Sequence, residues 1–376
     1  MTAVTAVTAV TVSTSEARPF DPALRRERYL AFDLARTSTA GRAVTVDLWG
    51  RPVRVYANAN LSIYSGQACN AACGFCVEEL RPAARGRSLS EQKHVEQNDG
   101  AYFAALEETL VALRPVDPSV SVTGGEASLD PRLPEILRTL RRHKTRKRTM
   151  TTNGSGLLSH REGRSVLDWV VASGVSHLNL SRAHPDDAEN GRLMGIPGPI
   201  SSAELAAVAR RARAGGTRVR LSCVLLRQGI SSFAGLLSYV DFARSAGVDN
   251  VVFRQLMLTD PALHEAGPVV RYSDCQRVSL APLLEEVSAD PRFTFVRQVV
   301  GYYYYVEVWS FAGVDLVFEE ADLARLEETK RTDPGLVHEL VFHPDGRLAS
   351  TWQPWDGVLG PPGRAGALVA PSPEVE

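Results

Sequence analysis

The feature that most restricts the fold of this chain is a regular alternation of two kinds of segment between Ala59 and Met257. Short runs rich in β-branched residues, "ANLSIYS", "SVSVTGG", "RTMTTNG", "VSHLNLS", "TRVRLSCVLL" and "NVVFRQL", take turns with longer stretches. In "GAYFAALEETLVALR" (Gly100 to Arg114), for example, the apolar residues recur at helical spacing. Six strands with five intervening helices leave little choice of topology. Strands separated by helices of that length pair in parallel through right-handed crossovers, so an α/β fold with a parallel sheet curled toward a partial TIM barrel, (β/α)6, is expected.

The flanks differ in character. Residues 1–18 are a Thr-Ala-Val repeat with no face to pack, read as a disordered tail. Residues 19–57 read as an N-terminal cap: basic helical material from Ala23 to Leu34, then two β-rich runs around a hairpin turn at Gly50, Arg51 and Pro52. The core is expected over 58–257. A β-rich aromatic extension over 258–360, covering the barrel mouth and including a hairpin at Asp345 and Gly346, precedes a flexible tail at 361–376.

Composition excludes several classes. With 44% hydrophobic and 23% charged residues the chain has a globular profile, and a net charge of −1 gives no global field to recruit nucleic acid. The local run "RRHKTRKR" (Arg141 to Arg148) reads as a solvated helix end, with an anionic partner as the alternative. No apolar run approaches the roughly 18 residues of a membrane span, and the N-terminus lacks the basic flank of a signal peptide. A cytoplasmic protein without membrane contact is expected, and in that reducing compartment clustered cysteines are ligands or catalysts before they are disulfides.

Such a cluster exists. Cys69, Cys73 and Cys76 stand in "CNAACGFC" directly after the first strand of the core, at the end where parallel sheets place their sites. Adjacent thiolates repel unless a cation neutralises them, so the spacing points to metal. A structural zinc site would want a fourth ligand, and the nearest histidine on the C-terminal side is His94. Three cysteines on a four-iron cluster would instead leave one iron open for a small molecule. Chance proximity of free thiols is the third reading.

The CxxxCxxC spacing, with Phe75 before the last cysteine, resembles the signature of the radical S-adenosylmethionine (radical SAM) superfamily. The resemblance covers about 58–257 and looks like the branch that includes the molybdenum-cofactor cyclase. It implies a [4Fe-4S] cluster on Cys69, Cys73 and Cys76, with S-adenosylmethionine on the open iron. The "TGGE" of Thr123, Gly124, Gly125 and Glu126 would meet the methionine amino group, and Ser181 and Arg182 its ribose and carboxylate. Asn153 closes the third strand and is divided between turn and ligand, while Val224 and Leu225 would line the adenine pocket. Phe75 is counted among the cofactor contacts. Members of the cyclase-like branch with auxiliary clusters carry further cysteines; only Cys223 and Cys275 remain here, so a single cluster is expected, with Cys223 a small buried hydrophobe.

The resemblance also implies reductive cleavage of S-adenosylmethionine to a 5′-deoxyadenosyl radical, with an electron donor such as flavodoxin or ferredoxin. For the substrate, Arg254 is expected at the site, because an arginine on a buried strand needs a polar purpose. Alternation along "YYYYVEVW" places Tyr303, Tyr305, Glu307 and Trp309 on one face, and the carboxylate among aromatics selects that face for substrate contact. His184, His343 and Arg297 are weaker candidates. Aromatics, a carboxylate and arginines suit a polar ring-containing small molecule of nucleoside, nucleotide or sugar type, in specialised antibiotic biosynthesis by analogy. A peptide substrate and a metal-stabilised interaction protein without catalysis are the alternatives.

Overall fold

The computed structural model of the 376-residue chain describes residues 20, 22–26, 43–65, 69–78, 99–259, 267–353 and 356–361. The expected tails at 1–18 and beyond Pro361 lie outside these residues. So does most of the expected basic helix, of which Pro22–Arg26 is helical.

A hairpin comes first. Strands β1 (Ala43–Leu48) and β2 (Arg51–Tyr56) pair antiparallel with Leu48 opposite Arg51. Trp49 and Gly50 make the turn, with φ of 52° and 80°. Such primed turns match the right-handed twist of the flanking strands. The turn therefore sits earlier than Gly50 to Pro52, and Pro52 faces Asp47 within the ladder.

Six parallel strands follow, paired in chain order: β3 (Asn60–Tyr64), β4 (Ser119–Thr123), β5 (Lys147–Thr152), β6 (His177–Ser181), β7 (Arg218–Val224) and β8 (Asn250–Arg254). The connecting helices are α1 (Asp99–Ala112), α2 (Leu133–Arg142), α3 (Val166–Ala172), a short extra helix α4 (Asp187–Met194), α5 (Ser202–Ala214) and α6 (Phe233–Ser245). Local signals set their starts: Ser201 and Glu204 cap α5 reciprocally, and Ser232 accepts from Gly235 N–H at the head of α6.

Strand alternation separates two faces. On β7, Val219, Leu221 and Cys223 are buried in one core with Leu205 and Val208 of α5 and Tyr239 of α6. Arg218, Arg220, Ser222 and Val224 look the other way and are half-buried. β6 repeats the pattern, with Leu178 and Leu180 in the core and His177, Asn179 and Ser181 opposite. The helix-free face of the sheet is polar, so it must be hydrated or occupied.

The sheet continues at both edges. Beyond β8 it adds β11 (Val314–Ala321) in parallel, then β10 (Tyr304–Phe311) and β9 (Thr294–Val300), both antiparallel to their neighbours. Beyond β3 it adds β12 (Leu340–Phe342), in parallel, and the expected hairpin, with Phe342 opposite Leu348 across Asp345 and Gly346. Tyr302, just before β10, and His338, just before β12, are eight strand steps apart along the sheet. A flat sheet would separate them by roughly 38 Å at about 4.8 Å per step, yet their rings lie 4.9 Å apart. The sheet is curled until its two edge regions meet, and its polar face is the inside. Among the described residues no helix is long and apolar enough to cross a membrane.

Candidate functional site

The cysteine loop is held at the C-terminal ends of the parallel strands by several short bonds. Ala72 N–H donates to Gly195 O at 3.3 Å, the Cys73 thiol to Met194 O at 3.3 Å, and Cys76 N–H to Cys73 O at 3.1 Å. Gly195 ends α4 with φ 59°, and a Cβ there would stand 2.9 Å from Ala72 O. The extra helix α4 thus docks the loop, and a glycine lets it do so. On the other side Asn70 donates to Ser155 Oγ and accepts from Asn153 Nδ2, which also lies 3.8 Å from Cys69 Sγ. Asn153 Oδ1 accepts from Ser155 N–H and Oγ–H, so Asn153 fastens its own turn to the cysteine loop.

The glycine pair has a different local reason from the one expected. Gly124 has φ 86°, and a Cβ on it would come 2.1 Å from the ring of Tyr64. The ring of its own neighbouring strand, before any ligand, requires glycine. Gly125 N–H donates to Glu78 Oε1 at 2.7 Å, so Glu78, two residues past Cys76, ties the cysteine loop to this turn. Glu126 is 1% exposed. Its Oε1 accepts from Ser128 N–H (2.9 Å), Ser128 Oγ–H (2.5 Å) and Thr152 Oγ1–H, and its Oε2 from Asn153 N–H (2.6 Å). Glu126 therefore splices the ends of β4 and β5, with one lone-pair site on Oε2 still open.

One cleft collects most of the expected residues. Cys69, Cys73, Cys76 and Phe75 line it together with Thr123, Gly124, Gly125, Glu126, Asn153, Ser181, Val224 and Arg254. Arg254 shares Glu319 at 3.5 Å, and its Nε is buried without a partner.

Five expected residues are elsewhere. Arg182 is 0% exposed and bonds to Ile200 O, Pro185 O and Asp187, with its guanidinium 4.6 Å from the Phe242 ring. Its position after Ser181 turns it outward, where it ties β6 to α4 and α5. Leu225 is fully buried in the helix-side core for the same reason of parity. Glu307 is 0% exposed and belongs to the outer layer: both its oxygens take Arg25 at 2.6 Å, and Tyr305 Oη–H and Trp309 Nε1–H donate to it at 2.7 and 2.8 Å. The face carrying Tyr305, Glu307 and Trp309 is core, and the carboxylate's polar purpose is Arg25. Tyr303 lies in the turn before β10, its ring 4.9 Å from Tyr302, so strand alternation does not apply to it.

The weaker candidates also resolve. His343 is buried, hydrogen-bonded to Thr351 O at 3.1 Å. His184 Nδ1 accepts from Asp186 N–H. Arg297 is on the edge strand β9.

Sequence reasoning missed Glu78, Ser222, Gln255 and Met257, all lining the cleft, and Tyr272 on the helix α7 (Pro268–Gln276), whose ring covers Gly74 and lies 6.5 Å from that of Phe75. Ser222 was within reach, since it shares parity with Val224 on β7. Nothing local signals Tyr272.

The donor set suits an iron–sulfur cluster. Burial, then Cys76 and Cys69, push the Cys73 thiol up to about 12, against a smaller lowering from its backbone bond. The three sulfurs are thus near enough to repel as thiolates, and a cation would relieve them. Among the described residues no three His, Cys, Asp or Glu side chains already surround one point as ligands of a single ion. A cubane asks for something else, because its three thiolates go to three different irons.

No family model matches the chain. A probable GTP 3′,8-cyclase of Sulfolobus acidocaldarius is 26% identical over 210 residues, which cover 54% of this chain and 56% of that protein. The chain thus spans little more than half the length of this curated relative. That relative agrees with the superfamily resemblance. Among solved structures, Streptococcus suis SuiB bound to S-adenosylmethionine is 20% identical, with a TM-score of 0.44 over 62% of this chain and 48% of that one. Escherichia coli coproporphyrinogen III oxidase (HemN), described as a radical SAM enzyme, is 16% identical with a TM-score of 0.40, over 62% and 52%.

Proposed function

We propose that this chain is a radical SAM enzyme acting on a polar small molecule of nucleoside, nucleotide or sugar type, in specialised antibiotic biosynthesis. The observation that carries the reading is the opening of three cysteines of one loop into the same cleft as the Gly124–Gly125 turn and the ends of β4 to β8. Cys69, Cys73 and Cys76 would hold a [4Fe-4S] cluster, which when bound supplies the electron that splits S-adenosylmethionine to a 5′-deoxyadenosyl radical.

The chain's own residues do the positioning. Glu78 and Asn153 fix the cysteine loop against the β4 and β5 turns, and Glu126 keeps those turns in register. Thr123, Ser181 and Ser222 present hydroxyls to the cofactor, while Phe75, Val224 and Met257 give apolar walls that exclude water. Arg254, beside the cleft, offers a cation to the substrate.

The test is anaerobic reconstitution with iron and sulfide, then dithionite and S-adenosylmethionine, with release of 5′-deoxyadenosine as the readout. About four irons per chain and a release that Cys73→Ala abolishes are expected. A colourless protein that holds zinc, or a cluster that never cleaves the sulfonium, would overturn the reading.

A further inference from the structure

The tight turn that joins two of the three cysteines is covered by a ring from far along the chain. Cys76 N–H donates to Cys73 O at 3.1 Å, so Gly74 and Phe75 are the two central residues of that turn. Both meet Tyr272 of α7. A Cβ on Gly74 would stand 2.9 Å from the Tyr272 ring, and the Phe75 ring lies 6.5 Å from it at an interplanar angle of 38°. Gly74 does not have the left-handed φ that would by itself favour glycine, so the approach of the ring is what leaves no room for a side chain there. Cys73, Phe75 and Tyr272 also pack against one group of buried residues that includes Met194, Leu226 and Leu256. Cys73 and Phe75 line the cleft and Tyr272 does not, so its ring reaches the turn from outside the cleft.

The helix that carries this ring is tied to the rim of the cleft. From the segment after β7, Arg227 N–H donates to Gln276 O at 3.0 Å and Gln228 N–H to Gln276 Oε1 at 3.2 Å. Arg277, the residue after α7, donates from its guanidinium to Leu256 O at 3.2 Å and Met257 O at 2.9 Å, in the segment after β8. Leu256 and Met257 line the cleft. The ring itself is held at its far end, where Gln228 Nε2 donates to Tyr272 Oη. Tyr272 is thus fixed at its backbone and at its hydroxyl, with the flat of the ring between them on Gly74.

We propose that Tyr272 is a positioning residue that holds the Cys73–Cys76 turn closed and shields it, with the cluster those cysteines would carry, from water and oxygen. The inference rests on the radical SAM reading above and deepens it. A turn in a surface loop opens easily when little packs on it, and a ring laid over both of its central residues opposes that opening. Cysteine reactivity follows access to the sulfur, and the behaviour of an iron–sulfur cluster depends on its exposure to solvent. A cover on the turn therefore acts on the bare thiols and on the loaded loop alike.

The probe is iodoacetamide on the reduced full chain without iron, with the labelling rate of each cysteine followed by peptide mass spectrometry. The chain supplies its own references, since Cys69 is exposed and Cys223 is buried in the helix-side core. In Tyr272→Ala, Cys73 and Cys76 should label at least about three-fold faster, the effect of one lost aromatic contact on a local opening, with Cys69 and Cys223 unchanged. Tyr272→Phe keeps the ring and should label like the wild type. Gly74→Ala, whose Cβ displaces the ring, should match Tyr272→Ala, and combining the two should add nothing. Unchanged labelling of Cys73 and Cys76 in Tyr272→Ala would overturn the proposal, as would acceleration of Cys223 in step with them, which would make Tyr272 a general support of the fold. After reconstitution with iron and sulfide, the visible absorbance of Tyr272→Ala should bleach faster in air and that of Tyr272→Phe should not; equal rates would overturn the shield. Labelling needs no cluster, so failed reconstitution sinks only the radical reading, and unchanged labelling beside release of 5′-deoxyadenosine sinks only the role of Tyr272.

Discussion

Removing the Glu307 carboxylate should destabilise the fold and spare the cleft. In Glu307→Ala the Arg25 guanidinium, whose side chain is 10% exposed, loses both of its 2.6 Å contacts. Tyr305 Oη–H and Trp309 Nε1–H lose their acceptor at the same time. Breaking a buried ion pair by deleting one partner costs roughly 3–5 kcal/mol. Two further orphaned donors, at about 1–3 kcal/mol each before relaxation, place the expectation in the upper half of that range. The assay is urea unfolding followed by circular dichroism and by tryptophan fluorescence, to which Trp309 contributes. Arg25→Met/Glu307→Met removes both charges and should recover at least half of the loss, because a buried pair replaced by apolar groups is often close to neutral. The refuting result is an unfolding midpoint like that of the wild type together with lost substrate turnover, which would return Glu307 to the role its sequence context suggested.

Gly124→Ala should cost about 2–5 kcal/mol, from a left-handed backbone at φ 86° and a Cβ forced onto the Tyr64 ring. Denaturant unfolding measures it, and adding Tyr64→Leu should return the overpacking part but not the backbone part. His343 predicts a pH dependence: burial, opposed by the Thr351 bond, pulls its pKa from 6.5 to about 4. Below about 6.5 the unfolded chain binds a proton that the folded chain refuses until about 4, so stability falls as pH drops through that window, by roughly 3 kcal/mol at most. His343→Asn should flatten this slope; an unchanged slope would refute the assignment.

Much of the fold was legible because two periodicities were clean. The six parallel strands and their helices follow from alternating segments, and the Asp345–Gly346 hairpin from its turn residues. Parity along a strand was equally readable but was not applied to two residues placed by the resemblance. Arg182 and Leu225 follow inward-facing Ser181 and Val224, and a shift of one residue sends a side chain to the helix side. The run "YYYYVEVW" looked like one strand, yet its first two tyrosines form the turn, and the face bearing Glu307 packs outward on the helix layer.

The sequence by itself determined the cysteine loop, the strand that leads into it and the glycine turn beside it, because these depend on spacing within a few residues. Tertiary structure decided which charges are satisfied. Glu307 meets Arg25 across 282 positions, and Glu78 reaches Gly125 across 47. A charge on a sequence carries no record of its partner, and burial makes the presence or absence of that partner the difference between a structural ion pair and a costly unpaired charge.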